Sequence, residues 1–156
     1  MAGRFISEFG MPSLPDIRTV EYWHEDDTSE RHPQSKMMQQ HNKAGSHERR
    51  FAIAMNENFR YTGDLESYVS SDLLSLSFEL DANGRYVYLT QLMQSEAVGS
   101  AYSTWRRNWK GLNKEYSAGA IVWQLNDTWP VTSWAIIDYF VGPPYQGYKK
   151  LMTVPT

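Results

Sequence analysis

Gly119-Ala120-Ile121-Val122-Trp123-Gln124-Leu125 decides the fold. It is a short, almost uninterrupted apolar run. Such a run suits a strand buried on both faces, as in a parallel sheet. It carries an indole near its end and continues into Asn126-Asp127-Thr128-Trp129-Pro130. A counterpart stands near the other end of the chain, Arg4-Phe5-Ile6-Ser7-Glu8-Phe9-Gly10. Residues 4–8 read as a second short buried strand, this one ending on a carboxylate. Gly10 breaks it, and Pro12 and Pro15 keep the next stretch extended. Both runs end on groups suited to sugar chemistry. An indole packs its flat face on the C–H face of a pyranose, and a carboxylate can attack or protonate at an anomeric centre.

Between these runs the pattern turns helical. A polar stretch from Asp16 to Pro33 predicts a surface loop with one helical turn near Ile17–Trp23. Residues 34–44 and 47–58 have helical composition, with Gly45-Ser46 as the break between them. Ser46 is a candidate cap, and Phe51, Ala52 and Met55 supply an apolar stripe at helical spacing. Leu74, Leu76, Phe78 and Leu80 then alternate with polar residues ahead of Asn83-Gly84. Taken locally, residues 73–89 read as a β-hairpin. From Tyr88 the period changes. Leu89, Leu92, Met93, Ala97, Ala101, Tyr102 and Trp105 predict an amphipathic helix to about Trp109, ended by Lys110-Gly111. A second apolar stretch, Trp134–Phe140, follows a loop containing Pro130.

Bulk properties narrow the class. The chain has 156 residues, enough for one domain with a real core. Its apolar content of 41% fits a globular protein, and aromatics reach 14%. A formal charge of −3 argues against an electrostatic nucleic-acid binder. The absence of cysteine excludes a disulfide framework and a thiolate metal site. No apolar run approaches the ~20 residues that span a bilayer. No secretory signal is visible and there is no cysteine, so a cytoplasmic location is favoured.

At Ser7-Glu8-Phe9-Gly10 the sequence resembles the β-mannosidases of glycoside hydrolase family 2. The likeness runs through Met11-Pro12-Ser13-Leu14-Pro15, Gln40-His41-Asn42-Lys43-Ala44-Gly45 and His47-Glu48-Arg49-Arg50-Phe51-Ala52. It resumes at Leu89-Thr90-Gln91-Leu92-Met93-Gln94-Ser95-Glu96-Ala97, then at Trp105-Arg106-Arg107-Asn108-Trp109 and from Trp123 to Phe140. Fungal enzymes of the β-mannosidase B type resemble it in particular. The resemblance implies an α/β fold: the last two strands of a (β/α)8 TIM barrel with their helices. Residues 1–140 would form the C-terminal portion of that catalytic domain. In this family the seventh strand ends in S-E-F-G and its Glu is the nucleophile, a role that falls on Glu8. The Trp ending the eighth strand, here Trp123, forms a wall of the subsite for the scissile mannose. Asn126 and Asp127 follow as candidates to bond sugar hydroxyls or to brace the loop.

The implied function is retaining hydrolysis of terminal non-reducing β-D-mannose, with a β-mannoside oligosaccharide or N-glycan core as substrate. No metal or organic cofactor is implied. Two departures from the family pattern bear on activity. The family's acid/base Glu lies on an earlier strand in a W-N-G-N-N-E-like motif, and no such motif is present in the chain. The expectation is therefore a fragment inactive alone, whose partner would be the missing part of the barrel. Residues 69–86 also interrupt the likeness, and residues 141–156 form a divergent tail. Both read as translated intron, since Val69-Ser70 can be encoded by a splice-donor sequence and Ala82-Asn83 by a branch point. The rival class is a non-catalytic carbohydrate-binding or regulatory module with an aromatic platform. Such a module has no need of a carboxylate at Glu8. The cluster His24-Glu25-Asp26-Asp27 reads as a solvated loop, because no spacing there fixes a coordination shell.

Overall fold

In the computed structural model, described for residues 4–23, 30, 35–45, 47–58, 80–109 and 117–139, the two apolar runs meet. Strand β1 (Phe5–Phe9) pairs in parallel with β2 (Gly119–Val122). Parallel strands need a crossover connection, and here it includes the helices α1 (Ile17–Trp23), α2 (Lys36–Gln40), α3 (His47–Asn58) and α4 (Leu80–Arg107). The register aligns Phe5 with Gly119, Ile6 with Ala120 and Phe9 with Val122. From Ile6 to Phe9 β1 advances three residues while β2 advances two. The extra residue is a bulge around Ser7-Glu8, the kind of irregularity that re-aims a side chain at a strand end. The described residues thus form a mixed helix and strand fold with a two-stranded parallel sheet.

The core lies on the helical side. Leu14, Val20, Met38, Phe51, Val87 and Met93 form one buried cluster, flanked by Met11, Ile17, Met37, Ala54 and Leu89. Phe51 is the predicted α3 stripe at work; the side chains of Ala52 and Met55 lie outside the described residues, as does the Ser46 cap. Gly45, in the expected break, has φ +77, a left-handed conformation that glycine adopts without a Cβ penalty. Helix α2 is capped by Ser35, whose hydroxyl accepts from the Met38 N–H at 3.0 Å. Arg106 and Arg107 occupy the last turn of α4, where cations complement the helix dipole.

The sheet docks on α4 through aromatic edges. Phe9 meets Trp105 at 4.5 Å between centroids with planes at 90°, and Tyr102 at 5.0 Å and 78°. These are T-shaped contacts favoured by the ring quadrupoles.

Two expectations need correction. The hairpin over 73–89 is not formed in its described part, because α4 already runs through Asn83-Gly84 from Leu80. The helical period that begins at Val87 commits that segment to the core, and this outweighs a glycine penalty of about 1 kcal/mol. Residues 73–79 and the tail 141–156 lie outside the described residues. The helix ends at Arg107, close to the expected end at about Trp109. Finally, neither β1 nor β2 is the buried strand expected: Phe5 is 57% and Ile121 55% exposed. The described elements packed against β2 are β1 and α4, which is too little to bury an apolar strand twice over. The loop at 24–27 and Phe140 also lie outside the described residues.

Candidate functional site

Parallel pairing sends both strand ends in one direction, so Glu8 and Trp123 lie at the same edge of the sheet. The junction is tight. Trp123 N–H donates to the Phe9 carbonyl at 2.6 Å, directly after Glu8. Gly10 then passes so close to Trp123 that a Cβ there would overlap the Trp123 carbonyl oxygen, and it would sit 3.2 Å from Cδ1 of Trp134. Only a residue without a Cβ permits this approach. Glu8 is exposed, and Trp123 is 49% exposed. The Trp123–Gln124 peptide bond is cis. A carboxylate and a half-exposed indole therefore share one end of the sheet.

Beyond Trp123 the chain folds back on itself. Gln124 N–H donates to Trp134 O at 3.3 Å, Ile136 N–H to Gln124 O at 3.0 Å and Asp127 N–H to Ile137 O at 3.1 Å. Asn126 pairs with Ile137 as an isolated bridge and is exposed; its side-chain amide donates to Asp127 O at 3.2 Å. Asp127 is buried. Its Oδ1 accepts from Ser133 Oγ at 2.6 Å and from Gln124 Nε2 at 3.3 Å. Of the two roles left open for Asp127, these contacts are those of a loop brace. Trp129 leans on His41 at 5.4 Å between centroids, with Lys43 Nζ 5.5 Å from its ring. His41 caps α2, and its Nδ1 lies 2.6 Å from the Pro130 carbonyl, so that nitrogen carries the proton.

A second layer joins the two loops. Gln94, in the middle of α4, is fully buried. Its Oε1 accepts from Ser13 Oγ at 3.0 Å. Its Nε2 faces Met11 O at 2.7 Å, Trp134 O at 3.1 Å and Ala135 O at 3.3 Å. Thr90 Oγ1 accepts from Leu14 N–H at 3.1 Å and donates to Val87 O at 2.8 Å. Asp138 Oδ2 accepts from Asp16 N–H at 2.8 Å and from Thr19 Oγ1 at 2.9 Å. Reading the sequence for apolar periodicity passed over these residues. The signal was nevertheless present: Thr90, Gln91 and Gln94 recur at three and four on the buried face of an otherwise amphipathic helix.

No group of three or more metal-ligating side chains occurs among the described residues. No described helix is long and apolar enough to cross a membrane.

No family model matches the chain. It is 43% identical over 145 residues to Beta-mannosidase B of Thermothelomyces thermophilus, covering 92% of this chain and 15% of that protein. It is 42% identical over 143 residues to Beta-mannosidase B of Aspergillus niger, covering 14% of it. The fold matches the crystal structure of a β-D-mannosidase from Dictyoglomus thermophilum with TM-score 0.62 and 34% identity, over 86% of this chain and 14% of that one. The chain thus spans about one seventh of the length of the relatives it matches, and as such a segment it belongs with the β-mannosidases by sequence and by fold.

Proposed function

We propose that this chain is the nucleophile-bearing part of a retaining β-mannosidase of glycoside hydrolase family 2, the last two strands of its (β/α)8 barrel. The observation that supports the reading is the 2.6 Å hydrogen bond from Trp123 N–H to Phe9 O, which goes with Glu8 and Trp123 ending neighbouring parallel strands. Barrel enzymes use that end of the sheet for chemistry. Glu8 attacks the anomeric carbon of a terminal β-D-mannose and forms a glycosyl ester. A second carboxyl, ~5–5.5 Å from the first, protonates the departing oxygen and then takes a proton from water. That group belongs to residues outside this chain, in keeping with a segment that spans 15% of a relative. Trp123 offers its exposed face to the sugar ring. Asn126 reaches the same subsite, and Asp127 serves it through the loop it braces.

The alternative of a non-catalytic binding module is not favoured, because the named relatives are glycosidases. Hydrolysis of a chromogenic β-mannoside is the test. It is measured for a full-length polypeptide carrying this segment, for its Glu8→Gln variant and for the 156-residue chain. We expect turnover only in the first. Turnover that survives Glu8→Gln refutes the nucleophile. Turnover by the isolated chain that Glu8→Gln abolishes refutes the need for an outside acid.

A further inference from the structure

We propose that Gln94 is a positioning residue that sets how the backbone leaves both strands, and so sets the face that Trp123 presents beside Glu8. The inference rests on the reading of Glu8 and Trp123 given above. The sheet hydrogen bond from Trp123 to Phe9 holds the strand ends together, and backbone bonds such as Gln124 N–H to Trp134 O fold the chain after β2 onto itself. Gln94 adds side-chain bonds that tie the chain after β1 to that fold. One side-chain amide reaches Met11, three residues past Glu8, and Trp134 and Ala135, on the return strand of the loop after Trp123.

The Trp134 carbonyl matters most. It accepts from Gln94 Nε2 at 3.1 Å and from Gln124 N–H at 3.3 Å. Gln124 is bonded directly to Trp123. A continuous path therefore runs from Glu8 through Gly10 and the Met11 carbonyl to Gln94, and on through the Trp134 carbonyl and Gln124 to Trp123.

The amide's orientation is itself fixed. Two N–H groups serve three carbonyls, while Oε1 takes the Ser13 hydroxyl. Reversing the amide would place an oxygen against three carbonyls. Ser13 is in turn tied to the same loop, donating its N–H to Ser133 O at 3.0 Å. Gln94 is fully buried, so water cannot take over these bonds. The hydrogen bonds of Gln94 go to Ser13, Met11, Trp134 and Ala135, so its effect on Glu8 and Trp123 passes through the backbone it holds.

The test separates positioning from mere stability. The full chain is labelled with 5-fluorotryptophan, and Trp123→Phe assigns the Trp123 resonance by fluorine NMR. Gln94→Met keeps the length of the side chain and removes its polar atoms. In this variant the Trp123 resonance should shift, while that of Trp109, exposed beyond the end of α4, stays in place. A Trp123 resonance that does not move in folded Gln94→Met overturns the proposal. If Gln94→Met does not fold, Gln94→Asn decides, because its amide falls one methylene short of the Met11 and Trp134 carbonyls; an unmoved Trp123 resonance there overturns the proposal equally.

Kinetics give an independent arm in the full-length polypeptide. Gln94→Met should lower kcat about tenfold or more, as small misplacements of reacting groups do. KM should stay within about twofold. An unchanged kcat overturns the proposal. Survival of hydrolysis in Glu8→Gln would instead overturn the nucleophile reading, and it leaves the fluorine result untouched.

Discussion

Gly10→Ala is the smallest change that tests whether the two strand ends are locked together. A Cβ on Gly10 would lie well inside the 3.0 Å that real Cβ atoms keep from other heavy atoms, and the atom it meets is the backbone oxygen of Trp123. Backbone cannot rotate away as a side chain tip can. Trp134 closes a second direction, with Cδ1 at 3.2 Å. Relief therefore requires the strand ends to part by on the order of 1 Å, toward ordinary van der Waals separation. That movement strains the Trp123 to Phe9 hydrogen bond at 2.6 Å. Overpacking of this kind costs about 1–3 kcal/mol, and a compromised hydrogen bond adds about 1 kcal/mol. For a chain of this size each kcal/mol lowers Tm by roughly 2–4 °C, so the loss should be roughly 4–16 °C. Thermal unfolding by circular dichroism reads it directly. Gly45→Ala is the natural comparison, since nothing lies within 4 Å of a Cβ there and the cost is the left-handed backbone alone, about 1–2 kcal/mol. A Gly10→Ala protein that melts within about 1 °C of the parent would refute the close-approach argument.

Three further outcomes follow from single contacts. Asp127→Ala should destabilise by about 1.5–3 kcal/mol by leaving the Ser133 hydroxyl and the Gln124 amide without their acceptor, whereas Asp127→Asn keeps an acceptor oxygen and should lose less; urea titration distinguishes the two. Thr90→Val removes the acceptor for the buried Leu14 N–H and should cost about 1–3 kcal/mol, while Thr90→Ser restores it. Hydrogen exchange at Leu14 reports the same loss locally. Ile121→Lys should reduce concentration-dependent association of the 156-residue chain in sedimentation velocity, because it places a charge on an apolar strand residue that is 55% exposed. Equal association of variant and parent would remove β2 as the cause.

What the sequence disclosed follows the reach of each signal. Strands Phe5–Phe9 and Gly119–Val122 stood out because apolar runs bounded by glycine are local features, and helix α4 did because its period is sustained. The position of its start was hidden, since Asn83-Gly84 marks a turn only when flanking strands find each other. Glu8 and Trp123 were legible as strand-end groups. Their adjacency was expected through the family resemblance, but the register that pairs Phe9 with Val122 and the bulge before it were not, because they depend on partners more than a hundred residues apart. Asp127 shows the limit most clearly. Its residue type suits a sugar hydroxyl as well as a serine, and the Ser133 contact by which it braces the loop is made by chain returning six residues later.

The distribution of polar and apolar contacts explains why a segment this small can keep a site's geometry. A two-stranded sheet is marginal by itself, and its outer residues are poorly covered, with Phe5 at 57% and Leu125 at 61% exposure. Apolar packing on α4 fixes the sheet's height but is indifferent to rotation, since Phe9 could slide along Tyr102 and Trp105 at little loss. Hydrogen bonds are directional. Gln94, Thr90 and Gln91 meet the loop after β1 at Met11, Ser13 and Leu14, and Gln94 meets the loop after β2 as well. A helix with leucine at these positions would bury the same surface and leave both loops free to shift. On the proposed reading the buried polar stripe serves the site as well as the core, and the orientation of Glu8 and Trp123 should be more sensitive to α4 than the melting temperature is.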